Sequence, residues 1–154
     1  MQRIFAIIFL IFSVSLNVYS QNFSLGDFLN PSKLEFELIG ISSRTGVSAY
    51  RYKKQVNKRF YGRVLGDIII GVKDEHIAQT IYLMIPESGD IGVPKEILNL
   101  IQAVLPFPLS YANGIYGVNI DNYSITISRT NNSLTFNKDR IMYFSSIKHS
   151  NLSQ

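Results

Sequence analysis

Only one stretch of this 154-residue chain, residues 93–105, has the periodicity of an amphipathic helix. Apolar residues fill one arc of that helix: Ile97, Leu98, Leu100, Ile101, Val104 and Leu105. Polar residues fill the opposite arc: Lys95, Glu96, Asn99 and Gln102. Pro94 suits a first helical turn, and Pro106 ends the run because it disfavours the helical conformation of the preceding residue. The pattern predicts a helix over about residues 94–105 with one buried side.

Before this helix the chain alternates apolar and polar residues with period two, which is typical of half-buried strands. A hairpin loop at residues 42–46 fixes the register of the first two strands. That register gives four cross-strand pairs: Glu35 with Lys53, Glu37 with Arg51, Phe36 with Tyr52, and Leu38 with Tyr50. The charged pairs share one face and the apolar pairs the other, so a slip by one residue would expose the apolar set.

A second predicted hairpin joins residues 60–73 to residues 77–85 through a turn near Asp74 and Glu75. With Lys73 facing His76, six residues share a face: Ile68, Ile70, Val72, Ile77, Ile81 and Leu83. We expect this face to be the partner of the helix and this hairpin to form the centre of the sheet.

After the helix, short alternating strands are predicted at residues 116–120 and 123–128. Turns at Asn131–Asn132 and at Lys138–Asp139 would place a further strand between two neighbours. This gives four predicted pairs: Ile127 with Phe136, Ser128 with Thr135, Phe136 with Ile141, and Leu134 with Tyr143. Met142 and Phe144 fall on the opposite face without an evident cover.

These elements predict an α+β fold: a mostly antiparallel sheet of short hairpin-linked strands with one main amphipathic helix, about residues 94–105, packed on one face. The expected central order is ββαββ. Residues 34–148 form the expected single domain, preceded by a polar segment at residues 21–33 and followed by a frayed tail at residues 149–154.

Residues 1–20 have the features of a secretory signal peptide. Arg3 precedes an apolar run from residue 4 to 16, and Val18 and Ser20 suit cleavage before Gln21. An uncleaved N-terminal anchor is the alternative. The chain contains no cysteine, so no disulfide can stabilise it in an oxidising compartment. We expect a secreted or periplasmic protein of a bacterial cell envelope.

The sequence offers no recognisable catalytic constellation. With two histidines and no cysteine, zinc sites built from Cys and His are excluded. His76 beside Asp74 and Glu75 is interpreted as a hydrated hairpin tip. Ser145 and Lys148 have Ser-x-x-Lys spacing, but at the end of a predicted strand they lie roughly 10 Å apart on opposite faces. Arg44-Thr45-Gly46 only superficially resembles the Lys-Thr-Gly box that accompanies that motif. We expect no catalytic residue, metal site or cofactor.

A basic run between residues 44 and 63 is the strongest candidate for a binding surface. Arg51 and Lys53 are already paired in the predicted register, which leaves Lys54, Lys58, Arg59 and Arg63. Such cations could contact phosphates of lipid or lipopolysaccharide, although lysines at strand edges also discourage aggregation. Phe107, between two prolines, is a further candidate contact, although a loop packed over the end of the core is the favoured alternative.

The sequence favours a non-catalytic binding module for a protein or an envelope component, because an antiparallel sheet with an open edge can accept a partner strand. One alternative is a small hydrolase that uses Asp67 with Asp74 or Glu75. Another is an anionic-surface binder that uses the four cations of the basic run. Removing Arg3 with the signal leaves 14 cations against 11 acids, or +3, which is low for a nucleic-acid binder. We expect membrane contact at the surface only, and the oligomeric state stays open.

Overall fold

The computed structural model of the chain describes residues 23–33, 35–54, 58–130 and 138–148. Its elements are β1 Phe36–Ile41, β2 Ser48–Tyr52, β3 Arg59–Phe60, β4 Arg63–Lys73, β5 His76–Met84, α1 Lys95–Gln102, β6 Ser110–Ala112, β7 Ile115–Ile120, β8 Tyr123–Thr130 and β9 Arg140–Ile147. The sheet order is β1-β2-β4-β5-β9-β8-β7-β6, and β3 pairs with β4 beside this path. The predicted mostly antiparallel, hairpin-linked sheet is confirmed.

The predicted ββαββ order is wrong. Within the described ranges, five strands precede α1 and four follow it. Two of the strands that sequence reasoning missed, β3 and β6, have only two and three residues. Strands of that length are too short to show an alternating pattern.

The first hairpin has the predicted register up to Leu38. Phe36 pairs with Tyr52, Glu37 with Arg51 and Leu38 with Tyr50, and a bulge then shifts the register before Gly40. The predicted Glu35–Lys53 pair exists in the backbone, where the Lys53 amide donates to the Glu35 carbonyl at 2.8 Å. The cation that pairs with the Glu35 side chain is instead Lys54.

The second hairpin turns at Asp74 and Glu75, where φ is 50° and 60°, and Lys73 faces His76 as predicted. The predicted six-residue face is partly wrong. A bulge at Ala78 pairs Gly71 with Gln79 but Val72 with Ile77. The extra residue reverses the alternation of β5. Ile81 and Leu83 therefore lie on the face opposite the helix. Tyr82 and Met84 lie on the helix side, where Ile81 and Leu83 were predicted.

The two faces of the sheet have separate cores. The face that carries α1, here called the helix face, includes Ile68, Ile70, Ile97 and Ile101. The opposite face, here called the far face, centres on Ile69, Ile81 and Leu83, with Met142 and Phe144 packed against them. β4 and β5 are thus buried on both sides, which places them at the centre of the fold.

The helix is shorter and less buried than predicted. It ends at Gln102, because the amides of Val104 and Leu105 donate to the carbonyls three residues earlier at 3.1 and 3.3 Å. Such bonds tighten a final turn and do not continue an α-helix. The predicted main amphipathic helix over residues 94–105 is therefore wrong in extent.

The buried side of α1 is a single row. Ile97 and Ile101 are fully buried, whereas Leu100 and Val104 are 49% and 60% exposed, against the prediction. Residues four apart lie one above the other on a helix, so one such row suffices where an eight-residue helix crosses a sheet. The sequence pattern shows which residues are apolar but not how wide the contact is.

The predicted strand containing Leu134 and Phe136 lies outside the described residues, but its pairings are wrong. Ile127 lies between Tyr116 and Tyr143 of its two neighbouring strands. β8 therefore pairs directly with β9, and no further strand can lie between them. The predicted tail at residues 149–154 also lies outside the described residues.

The segment before β1, treated as polar and separate in the sequence, packs on the domain. The Gly26 and Leu29 amides donate to the Ile77 and Glu75 carbonyls at 2.8 and 2.9 Å. The ring of Phe23 meets that of Tyr52 edge-on at 5.1 Å. This segment therefore extends the edge of β5 and covers part of the helix face.

Candidate functional site

The basic run lies around β3, and its exposed cations already have local partners. Lys54 Nζ lies 3.1 Å from a carboxylate oxygen of Glu35. Arg59 donates to the carbonyl of Gly62 at 2.9 Å. Lys58 is half-buried. These contacts reduce the positive charge that the surface presents.

Arg63, the fourth predicted cation, belongs to a structural cluster. Its side chain is only 14% exposed and forms two hydrogen bonds to Asp90, at 2.9 and 3.1 Å. These bonds hold the pKa of Asp90 below its usual value, against the opposing effect of burial. Arg129 donates to the carbonyls of Asp90 and Gly92 at 2.7 and 3.2 Å. Two arginines from β4 and β8 therefore fix the loop that leads into α1.

The aromatic residues of the basic run point into the core. Phe60 stacks on Tyr82 with ring centroids 4.5 Å apart and planes 9° apart. The ring centroids of Tyr61 and Tyr143 lie 6.0 Å apart, and Tyr52 is only 4% exposed. Rings buried in this way cannot stack on a ligand at the surface. The aromatic residues of the basic run are thus structural parts of the helix face.

The carboxylates proposed for a hydrolase lie far apart. Asp67 is near the start of β4 and Asp74 follows its end, so seven extended residues separate them by roughly 20 Å. Glycoside chemistry needs a separation of about 5 to 9.5 Å. Asp67 Oδ1 lies 3.7 Å from Arg51 Nε, yet burial outweighs this cation and raises the pKa of Asp67.

His76 and the Ser-x-x-Lys residues have local roles. His76 Nδ1 contacts the carbonyl of Asp74 at 2.6 Å at the exposed hairpin tip. Ser145 is buried and shares a 2.5 Å hydrogen bond with Thr80. Lys148 Nζ contacts the carbonyl of Asp121 at 3.4 Å. Ser145 lies within β9, and Lys148 directly follows the last residue of that strand.

Phe107 lies on a loop that one side chain fixes. Gln102 Nε2 donates to the Phe107 carbonyl at 2.9 Å, and Gln102 Oε1 accepts from the Leu109 amide at 2.8 Å. The ring of Phe107 is 50% exposed. The sequence analysis named Phe107 as a candidate contact, but it favoured a packed loop and missed the glutamine that holds this loop.

We expect Gln102→Ala to destabilise the protein by about 1 kcal/mol, because it removes a hydrogen bond to the half-buried Leu109 amide and one to the exposed Phe107 carbonyl. Hydrogen exchange of the Leu109 amide should accelerate more than that of the Ile101 amide. Asn99→Ala, on the exposed side of the same helix, is the control and should change stability by less than about 0.5 kcal/mol. Unchanged exchange at Leu109 would contradict the role of Gln102.

The two ends of the sheet differ as binding edges. β6 has three residues, all exposed, whereas β1 has six. Because the Lys53 amide bonds to Glu35, alternate residues of β1 exchange hydrogen bonds with β2. The backbone groups of Leu38 then point away from the sheet. Leu38 and Ile41 side chains are 52% and 66% exposed beside this edge.

Two grooves lie on opposite faces. One on the helix face has a volume of about 550 Å³ and lies between Leu25 and Leu105, over Tyr123, Ile125 and Tyr143. It exists because the short α1 leaves part of the sheet uncovered. The other, here called the far-face groove, has a volume of about 380 Å³ and lies beside the β1–β2 loop. The sequence analysis predicted neither groove. The helix-face groove depends on the length of α1, and the far-face groove depends on the bulge that turns Ile81 to that face.

Comparison with protein-family models, with curated proteins and with solved structures finds no match. In the described ranges, no helix has the length and apolar character that crossing a bilayer requires. No three His, Asp or Glu side chains of the described residues are grouped so that they could hold one metal ion.

Proposed function

We propose that this chain is an exported, non-catalytic binding module that holds an extended segment of a partner protein or envelope component against the outer edge of β1, which pairs with no further strand among the described residues. The observation that carries the proposal is the position of β1 at the end of the sheet order with outward-facing main-chain groups at Leu38. Main-chain hydrogen bonds to such an edge give affinity, and neighbouring side chains give specificity.

The edge is suited to a short segment. Its regular ladder runs from Phe36 to Leu38 and is interrupted by the bulge before Gly40. Bulges and charged residues such as Glu37 limit uncontrolled pairing of edge strands. The exposed Leu38 and Ile41 side chains provide apolar contacts on either side of the bulge. A partner of a few extended residues fits this edge better than a long strand.

Export is the part of the proposal that rests on sequence alone. Residues 1–20 lie outside the described residues, and their signal-peptide features support a secreted or periplasmic location. The absence of cysteine is compatible with this location because the two apolar cores stabilise the fold by burial.

The two alternative functions have weaker support. The separation of Asp67 from Asp74 disfavours the carboxylate hydrolase. The ion pairs of Lys54 and Arg63 disfavour an anionic-surface binder that depends on these side chains. Vesicle binding that is lost on changing all four cations of the basic run to Gln would favour the second alternative.

Leu38→Pro tests the proposed edge, because it removes an outward amide without removing a bond to β2 and proline is tolerated on edge strands. Peptides selected from a displayed library for binding the full chain should bind this variant about tenfold more weakly, as expected for a lost main-chain hydrogen bond. Leu38→Ala keeps the amide and is the matched control. Bound peptide should also slow hydrogen exchange at Leu38 and Ile41. Peptides that bind Leu38→Pro normally, or that protect β6 instead, would refute the proposal.

A further inference from the structure

The far-face groove has apolar walls and a floor formed by the sheet itself. Its apolar lining consists mainly of Ile39, Val47, Ala49, Ile69 and Ile81. Gly71 contributes to the floor, where a Cβ would lie 2.8 Å from a Val47 methyl and 2.9 Å from the Gln79 Cβ. The absence of a side chain at Gly71 therefore lets Val47 and Gln79 approach each other. The result is a continuous apolar surface between the first hairpin and β5.

The charge at this groove is positive. Among the described residues that line it, Arg44 is the only charged one, and it is exposed on the β1–β2 loop. The acids Glu37 and Asp67 do not line the groove, and their carboxylate oxygens lie 3.1 and 3.7 Å from side-chain nitrogens of Arg51. The Gln79 amide and the hydroxyls of Ser42 and Thr45 add neutral polar groups. An apolar groove with one cation at its rim is complementary to an amphipathic anion.

We propose that the far-face groove binds a single-chain alkyl carboxylate, with the chain on the apolar floor and the carboxylate at Arg44. The volume of about 380 Å³ lies at the lower end of the range for small-molecule sites, which suits one medium-length chain better than a two-chain lipid. The guanidinium of arginine matches a carboxylate with two parallel hydrogen bonds. The groove shares Ile41 with the proposed β1 edge, but it does not use the outward main-chain groups of Leu38. Leu38→Pro and Gln79→Glu therefore test the two proposals separately.

Calorimetric titration of the full chain with decanoate, octanoate and 1-octanol, each below its micelle concentration or solubility limit, tests the proposal. Each buried methylene is worth about fourfold in affinity, so decanoate should bind up to about 15-fold more tightly than octanoate. Octanoate should bind more tightly than 1-octanol, and this preference should decrease with added salt. Absence of decanoate binding at millimolar concentration would overturn the proposal.

Three variants locate the site. Arg44→Gln should reduce octanoate affinity to that of 1-octanol, whereas Lys33→Gln, an equal loss of charge at another exposed position, should leave it unchanged. Ala49→Phe should block all three probes by filling the groove. Gln79→Glu is nearly isosteric, so the fold is retained, and it should selectively weaken the carboxylates.

The helix-face groove provides the competing location. Ile147→Trp narrows that groove without touching the far-face groove, because Ile147 lines the helix-face groove and does not line the far-face groove. Carboxylate binding that survives Ala49→Phe and Gln79→Glu but is lost in Ile147→Trp would overturn the far-face assignment. Binding that is lost in Ala49→Phe and Gln79→Glu but retained in Ile147→Trp supports it.

Discussion

Ile101→Ala is expected to destabilise the protein by about 2–5 kcal/mol, the range for deleting a buried isoleucine side chain. Ile101 is completely buried between α1 and the helix face, where it meets the core that Ile68, Ile70 and Ile127 share. An eight-residue helix has little intrinsic stability, so its attachment depends on this row of contacts. Urea denaturation followed by circular dichroism measures the loss.

The adjacent residue gives the matched comparison. Leu100 is 49% exposed, and Leu100→Ala should cost less than about 1 kcal/mol despite removing a side chain of equal size. The two variants separate the observed single-row contact from the wide apolar arc that the sequence pattern predicts. Equal losses for Leu100 and Ile101 would mean that the wider arc is buried and that α1 sits differently.

The first hairpin was predictable because two independent patterns agree. Its charged residues and its apolar residues select the same register, and Glu37 with Arg51 and Phe36 with Tyr52 are indeed paired. The bulge before Gly40 carries no such signal, since both neighbouring residues are apolar. Local register is therefore readable where side chains alternate in character.

The central hairpin shows where this reasoning ends. Residues 68–70 and 81–85 are apolar without alternation, because both faces of β4 and β5 are buried. Nothing in such a run indicates which residues point to which face. A single bulge at Ala78 then moves Ile81 and Leu83 to the far face. The far-face groove depends on that reversal, so it was out of reach of the sequence.

Contacts distant in sequence account for the remaining errors. Arg63 looked like a free cation because Asp90 is 27 residues away. Phe23 looked like an isolated anchor because its ring partners Phe36 and Tyr52 become neighbours only in the folded chain. Side-chain type predicts that a charge or a ring needs a partner, but not which residue supplies it.

Asp90→Asn is expected to destabilise the protein by about 1–3 kcal/mol at pH 7, because it weakens a charge-assisted pair and leaves the largely buried Arg63 without its main counter-charge. The pKa of Asp90 is lower in the folded state than in the unfolded state. The ionised carboxylate therefore stabilises the fold fully at a pH above its unfolded-state pKa of about 3.9. This stabilisation is lost as the pH falls through the lower folded-state pKa. Denaturant titrations between pH 7 and pH 3 should show the gap between wild type and variant closing at the acidic end.

Asp67→Asn is the control, because folding shifts the pKa of Asp67 upward whereas it shifts the pKa of Asp90 downward. Burial raises the pKa of Asp67 despite the nearby Arg51, so the folded state prefers its neutral form. We expect this variant to retain or gain stability at pH 7, since Arg51 keeps Glu37 at 3.1 Å, and any gain should shrink as pH falls through the raised pKa. If both variants lose the same stability at every pH, their loss comes from altered packing. The charge of Asp90 would then not be what fixes the loop before α1.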